Sequence, residues 1–285
     1  MGRSARSRRE ARRAAPHRES DRLTTLRLTV EYDGTEFCGF QWQPAMRTVA
    51  GELEAALSRL FDEPVNVVGA GRTDTGVHAT GQVVSCATAA AFPFERLTLA
   101  LNSTLPRDVT IREAAVVDAA FSARFSARER TYIYAILNRR TPSALLRRRA
   151  YHVWKPLDVG AMSLAAESLV GERDFRSFCG VLPESGVTVR TVRRLSIDRT
   201  GDTIRLEIAA DGFLHHMVRT IVGTLVECGW GKRTPADVAA IVAARDRAAA
   251  GHNAPAHGLY LAGVRYDDYD SFAEPPISAG AGPSR

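Results

Sequence analysis

The densest polar constellation in the sequence is Gly69-Ala70-Gly71-Arg72-Thr73-Asp74-Thr75-Gly76-Val77-His78-Ala79. Its three glycines let the backbone turn sharply and approach a ligand closely. Arg72 and Asp74 lie two positions apart, so an extended stretch sets a cation and a carboxylate on one side. A phosphate cradle is the first chemistry to test. The segment lacks the third glycine and following helix of a dinucleotide fingerprint, and it lacks the Lys-Ser/Thr ending of a P-loop. On spacing alone two readings stand: a tight turn with a surface ion pair, or a loop that presents Asp74 to a substrate.

The loop must be held by the elements around it. Leu26, Leu28, Val30 and Tyr32 alternate with polar neighbours and predict a strand over 25–32, ended by Asp33-Gly34. Leu53, Leu57, Leu60 and Phe61 recur at helical spacing over 49–61, ahead of Pro64. Short strands at 65–68 and 82–86 flank the glycine-rich turn, followed by a helix near 93–104 and a strand over 109–117. The second half predicts a strand over 130–137, a helix over 158–170 and a strand pair over 189–199 and 202–209. A helix over 214–228 follows, with Gly229 suited to its C-cap. Thr234-Pro235-Ala236-Asp237 carries a capping-box pattern that opens another helix, and Leu259–Val264 is a last strand. Similar element order in the two halves predicts an α+β fold. It would hold two ferredoxin-like (RRM-like) units, 23–125 and 126–270, with antiparallel sheets joined around a central cleft.

Composition sets the boundaries. The chain has 285 residues, 45% of them hydrophobic and 25% charged, enough for a sizeable core without staples. Residues 1–22 hold eight arginines against three acids, so five of the six net positive charges belong to that segment. It reads as a disordered, Arg-rich tail, either solubilising or RNA-attracting, with no apolar core of a secretory signal. The remaining body is nearly neutral, so a nucleic-acid partner must be argued from local patches. Arg124, Arg128 and Arg130 make one such patch, and Arg147, Arg148 and Arg149 another. Cys38, Cys86, Cys179 and Cys228 have no CxxC spacing, which predicts free thiols in a reducing cytoplasm. No apolar run reaches the roughly 18 residues of a membrane span. Residues 271–285 read as a loose tail. His215 and His216, adjacent on a predicted helix, would point apart and chelate poorly, so no metal is expected.

Gly71-Arg72-Thr73-Asp74-x-Gly76-Val77-His78-Ala79 resembles the active-site motif of the tRNA pseudouridine synthase A family. So do Tyr32-Asp33-Gly34-Thr35, the run from Thr48 to Leu57, Leu101-Asn102-x-x-Leu105-Pro106, and Ala123-Arg124-Phe125-Ser126-Ala127. Further matches are Arg130-x-Tyr132-x-Tyr134, Asp174-Phe175-x-Ser177-Phe178, Phe213-Leu214-His215-His216-Met217-Val218-Arg219 with Ile221-Val222-Gly223, and Gly258-Leu259-Tyr260-Leu261. The resemblance covers about residues 26–269. Phe40, Ser122 and Arg173 depart from the family pattern, at positions where it more often has Trp, His and His.

The resemblance implies a cofactor-independent, homodimeric enzyme of the cytoplasm. It would turn uridine into pseudouridine in the anticodon stem-loop of tRNA, around positions 38 to 40. Asp74 would be the catalytic carboxylate, acting as nucleophile or base. Arg219 would pair with it, although the helical wheel alone also allows a snorkelling surface arginine. Tyr132 would stack on the flipped base and Leu259 would line its pocket; on pattern alone Tyr132 and Tyr134 could equally be core tyrosines. Arg72 would assist base flipping or bind phosphate. His78, His215 and His216, with Arg124, Arg128 and Arg130, would contact RNA. A glycoside hydrolase would need two flanking carboxylates, and the motif offers one.

Overall fold

A computed structural model describes residues 23–277. The Arg-rich tail expected over 1–22 lies outside the described residues. Strand β1 (Thr24–Tyr32) buries Leu26, Leu28, Val30 and Tyr32 on one face, and Thr25 and Thr29 on the other. Helix α1 (Val49–Phe61) starts at Thr48, whose Oγ1 accepts from the Gly51 amide. It ends before Pro64, because Asp62 takes the left-handed conformation at φ 53°. Strand β2 is only Val68–Gly69, and β3 (His78–Thr88) is longer than expected. Helix α2 is cut to Leu97–Asn102. There the Asn102 side chain pairs with both backbone groups of Ile111 in β4 (Val109–Val117), at 2.7 and 2.8 Å.

The second half runs β5 (Glu129–Leu137), β6 (Tyr151–His152), α3 (Val159–Ala166), β7 (Gly171–Asp174), β8 (Val189–Thr200) and β9 (Thr203–Ala210). Then come α4 (Met217–Gly229), α5 (Pro235–Ala244) and β10 (Leu259–Arg265). The capping box of α5 forms as the pattern predicts, Thr234 and Asp237 each accepting the other's backbone N–H. Helix α4 starts three residues later than the periodicity suggests, since His216 sits at φ 62° and breaks the helical path. Gly229 is the last helical residue, not the C-cap; the positive φ falls at Gly231.

The architecture is mixed α and β, built on one large sheet. Ten strands join it in the order β4-β1-β3-β10-β5-β9-β8-β7, with β2 on β3 and β6 on β5. The expectation of two antiparallel sheets therefore needs correction. Strand β10, last in sequence, runs between the halves, antiparallel to β5 and parallel to β3 through Tyr260–His78 and Leu261–Ala79. Both edges facing the gap would otherwise leave backbone groups unpaired, and one strand satisfies them together. One large apolar core spans both halves, from Leu26 and Leu57 to Leu225 and Leu261, with a smaller cluster of Ala135, Leu137, Ala150 and Tyr260 beside it.

The segment expected to be loose from 271 onward is tied down at its start. Ser271 Oγ donates to the Gly81 carbonyl at 2.7 Å, and Thr80 Oγ1 donates to the Ala273 carbonyl at 2.6 Å. Among the described residues all four cysteines are free, and no helix is long and apolar enough to cross a membrane.

Candidate active site

The Asp74 loop leaves β2 and returns to β3, held by bonds to its backbone and to the Thr73 side chain. Phe40 N–H donates to the Thr73 carbonyl at 3.0 Å, and Val77 N–H to the Asp74 carbonyl at 3.1 Å. The Tyr32 hydroxyl meets Thr73 Oγ1 at 2.8 Å. Burial pushes the Tyr32 hydroxyl up to about 12, so it keeps its proton for such a bond. Gln82, fully buried, donates from Nε2 to the Gly71 carbonyl at 2.7 Å. Gly39 has a positive φ of 89°, and a Cβ there would stand 2.9 Å from the Thr73 oxygen. Only glycine lets that segment lie so close to the loop. The Phe40 ring covers Gly69, where an added Cβ would come within 2.5 Å of it.

Asp74 itself is a quarter exposed, at 26%. Arg219 Nη1 donates to its Oδ2 at 2.9 Å, and Arg219 Nε is anchored on the Ala254 carbonyl at 2.9 Å. The Ala254 segment lies directly on α4. At Gly223 a Cβ would come within 1.8 Å of the His252 oxygen, so this glycine admits the contact. His216 Nε2 stands 3.4 Å from the same Oδ2.

These groups open onto a cleft of about 820 Å³. Tyr132 from β5 and Leu259 from β10 line it, each about 5% exposed, at 6% and 5%. The Tyr132 ring meets Phe213 edge-on, with centroids 5.0 Å apart. Burial raises the pKa of its hydroxyl, and the neighbouring Tyr32 and Asp74 add to the shift. Arg72 stands exposed at the rim with no hydrogen bond or ion pair to the described residues. Arg124, also at the rim, lies over the Phe125 ring, which is 79% exposed.

Three residues expected to touch RNA have other partners. His78 is buried, stacked on Tyr260 and outside this cleft. Its Nδ1 accepts from Gly34 N–H at 3.1 Å and its Nε2 meets the Arg148 carbonyl at 2.9 Å. Asp33 lies 3.0 Å from Nδ1 and favours a charged ring, but burial outweighs it and lowers the His78 pKa. Arg130 lines the cleft, yet its donors bond the carbonyls of Ala70, Arg124, Ala127 and Asp211, so it braces the loop from behind. Arg128 pairs with Asp267 away from the cleft. Arg148 and Arg149 are likewise engaged, with Glu36 and Asp33.

His215 and His216 do not diverge as helix neighbours would. They precede α4, and their rings stack at 3.7 Å beside Asp74. One potential ligand atom from each of these three residues lies within 4.8 Å of the others. A single ion would need both ring planes to point at it, whereas stacked rings run side by side. Arg219 also places its positive charge on the same carboxylate oxygen. The set therefore suits hydrogen bonding better than chelation.

The sequence reading gave no role to Gln82, and named Phe213 only within a motif. Gln82 carries one usable signal, a polar residue in register with the apolar Val84 and Cys86.

Comparisons with known proteins give the family. The family model described as tRNA pseudouridine synthase matches residues 28–126 and 165–267. This chain belongs to the tRNA pseudouridine synthase family. It is similar to the tRNA pseudouridine synthase A of Brevibacillus brevis, at 48% identity over 86% of this chain and all of that relative. Identity to the protein of that name from Halalkalibacterium halodurans is 49%, over 83% of this chain and 90% of the relative. For that of Bacillus subtilis it is 44%, over 85% and 99%. Asp74, Arg219 and Leu259 fall inside the spans matched to the synthase family, and Tyr132 falls between them.

Proposed function

We propose that this chain isomerises uridine to pseudouridine in the anticodon stem-loop of tRNA, around positions 38 to 40, with Asp74 as the catalytic carboxylate. The observation that carries this reading is the Asp74–Arg219 pair at a cleft walled by Tyr132 and Leu259, in a chain of this family. The N1–C1′ bond of uridine breaks, the uracil turns, and a C5–C1′ bond forms. C5 loses a proton and N1 gains one, so the composition is unchanged and no redox partner or group donor enters.

Arg219 and His216 both address Oδ2 of Asp74. Oδ1 is the oxygen left to act on the substrate. It can attack C1′ or C6, or take the C2′ proton. A stem uridine must first leave its stack, at a cost of roughly a few kcal/mol. Contact with Tyr132 offsets about 1–3 kcal/mol of that cost. Arg72 and Arg124 supply rim cations for the RNA backbone. Two ferredoxin-like halves meeting at β3 and β10, assembled as a homodimer in the cytoplasm, would let one tRNA reach across two copies.

The test uses tRNA tritiated at uracil C5. Wild-type protein releases tritium, whereas Asp74→Asn binds the tRNA and releases none. Tyr132→Leu releases almost none. Release by Asp74→Asn at the wild-type rate would sink the assignment.

A further inference from the structure

The segment after α5 places Asn253 between α4 and the paired histidines. Asn253 Oδ1 accepts from Thr220 Oγ1 at 2.6 Å and from Arg247 Nη2 at 3.2 Å. A guanidinium has no acceptor, so the Arg247 contact alone decides which end of the Asn253 amide is oxygen. The other end, Nδ2, lies 3.1 Å from His216 Nδ1. An amide N–H₂ can only donate, so Nδ1 of His216 must carry the lone pair. In the neutral ring the proton then sits on Nε2. Nε2 is the atom that faces Asp74 Oδ2, at 3.4 Å. That separation is a contact rather than a formed hydrogen bond; catalytic hydrogen bonds are often long before substrate binds.

We propose that Asn253 is a positioning residue: it sets the tautomer of His216, making the neutral imidazole a second donor to Asp74 beside Arg219. This inference rests on Asp74 being the reacting carboxylate. The backbone supports it independently. His216 is held at φ 62°, and Gly180 packs against both rings, where an added Cβ would lie 2.8 and 2.9 Å from the two Nδ1 atoms. The absent Cβ of Gly180 leaves room for both rings, and the His215 ring stacks on that of His216 at 3.7 Å.

Arg219 brings a charge and one fixed direction to Oδ2; His216 adds a second direction. With two donors on one oxygen, the carboxylate plane is fixed and Oδ1 is aimed at the substrate. A second proton on His216 Nδ1 would face the Asn253 N–H₂ and break the relay. The charged groups around the ring are Asp74, which favours the imidazolium, and His215, Arg219 and Arg247, which oppose it. Burial opposes it most, and the His216 pKa is lowered.

Asn253→Asp tests the relay with nearly the same shape. The variant keeps an oxygen for Thr220 and Arg247, turns the donor facing His216 into an acceptor and adds a negative charge there. Full-length protein labelled with 15N at histidine reports which ring nitrogen carries the proton, with His216→Gln identifying the signals. The wild type is expected to show the Nε2–H form at neutral pH. In Asn253→Asp the proton moves to Nδ1, the ring protonates at higher pH, and kcat for tritium release falls about tenfold with KM unchanged. His216→Gln, which keeps a donor near the Nε2 position, retains more kcat than His216→Phe. A wild-type ring protonated at Nδ1 overturns the proposal whatever the variants do. So does an Asn253→Asp protein with unchanged tautomer and kcat. The spectra need no turnover, so a failed relay and a failed synthase assignment are told apart.

Discussion

Arg219 and Asp74 are 145 positions apart and meet through one nitrogen, Nη1 on Oδ2 at 2.9 Å, while Arg219 Nε is tethered to the Ala254 carbonyl. The guanidinium therefore supplies both a charge and a fixed direction, and lysine can copy only the charge. Arg219→Lys should lower kcat for tritium release by about tenfold to a hundredfold while leaving tRNA affinity within about twofold. Single-turnover kinetics at saturating enzyme would check this. A lysine variant with wild-type kcat would show that direction is immaterial.

Gln82 should prove a stability residue that activity also depends on. Its amide bonds the Gly71 carbonyl from the middle of the core, beside the Tyr32 hydroxyl. Gln82→Leu leaves the loop carbonyl unpaired, costing about 1–3 kcal/mol. Urea unfolding should show that loss, and turnover should fall as the Asp74 loop loosens.

Arg130 and Arg124 should separate cleanly in salt. A phosphate contact contributes about one unit to the slope of log K against log salt. Arg124→Ala should lower the slope for tRNA binding by about that amount. Arg130→Met should leave the slope unchanged and destabilise the fold instead, by about 1–3 kcal/mol, since its donors bond backbone carbonyls. The reverse pattern would return Arg130 to the RNA-facing surface.

Acid should weaken the fold through three histidines. Burial lowers the pKa of His78, His216 and His257 below the ordinary 6.5. Each is neutral in the native state, and protons bind the unfolded chain more tightly. Their contribution is complete above about pH 6.5 and is lost as pH falls through the lowered native values. Melting temperatures should therefore decline as pH falls from about 7 to 5, and His78→Gln should flatten part of that decline. A flat profile in the wild type would contradict the burial of these rings.

Local patterns in the sequence carried the elements and the chemistry. Period-two alternation marked β1 and β5, helical spacing marked α1, and the Thr234–Asp237 box marked the start of α5, because these signals act over a few residues. The run around Asp74 offered a carboxylate on a glycine-rich loop; spacing alone left a surface ion pair equally open, and only the resemblance to the family motif singled Asp74 out. Tertiary structure alone decided the partners. Nothing local says that β10 would bridge the halves, that Arg130 would turn inward to four carbonyls, or that His78 would be buried behind the loop. The same holds for His216, which a helical reading aimed away from His215 until one left-handed residue stacked the two rings beside Asp74. The physical reason is that, outside local motifs such as caps and turns, sequence neighbours do not fix the partner of a polar side chain. Its direction is set by whichever donor or acceptor the folded chain brings within about 3 Å.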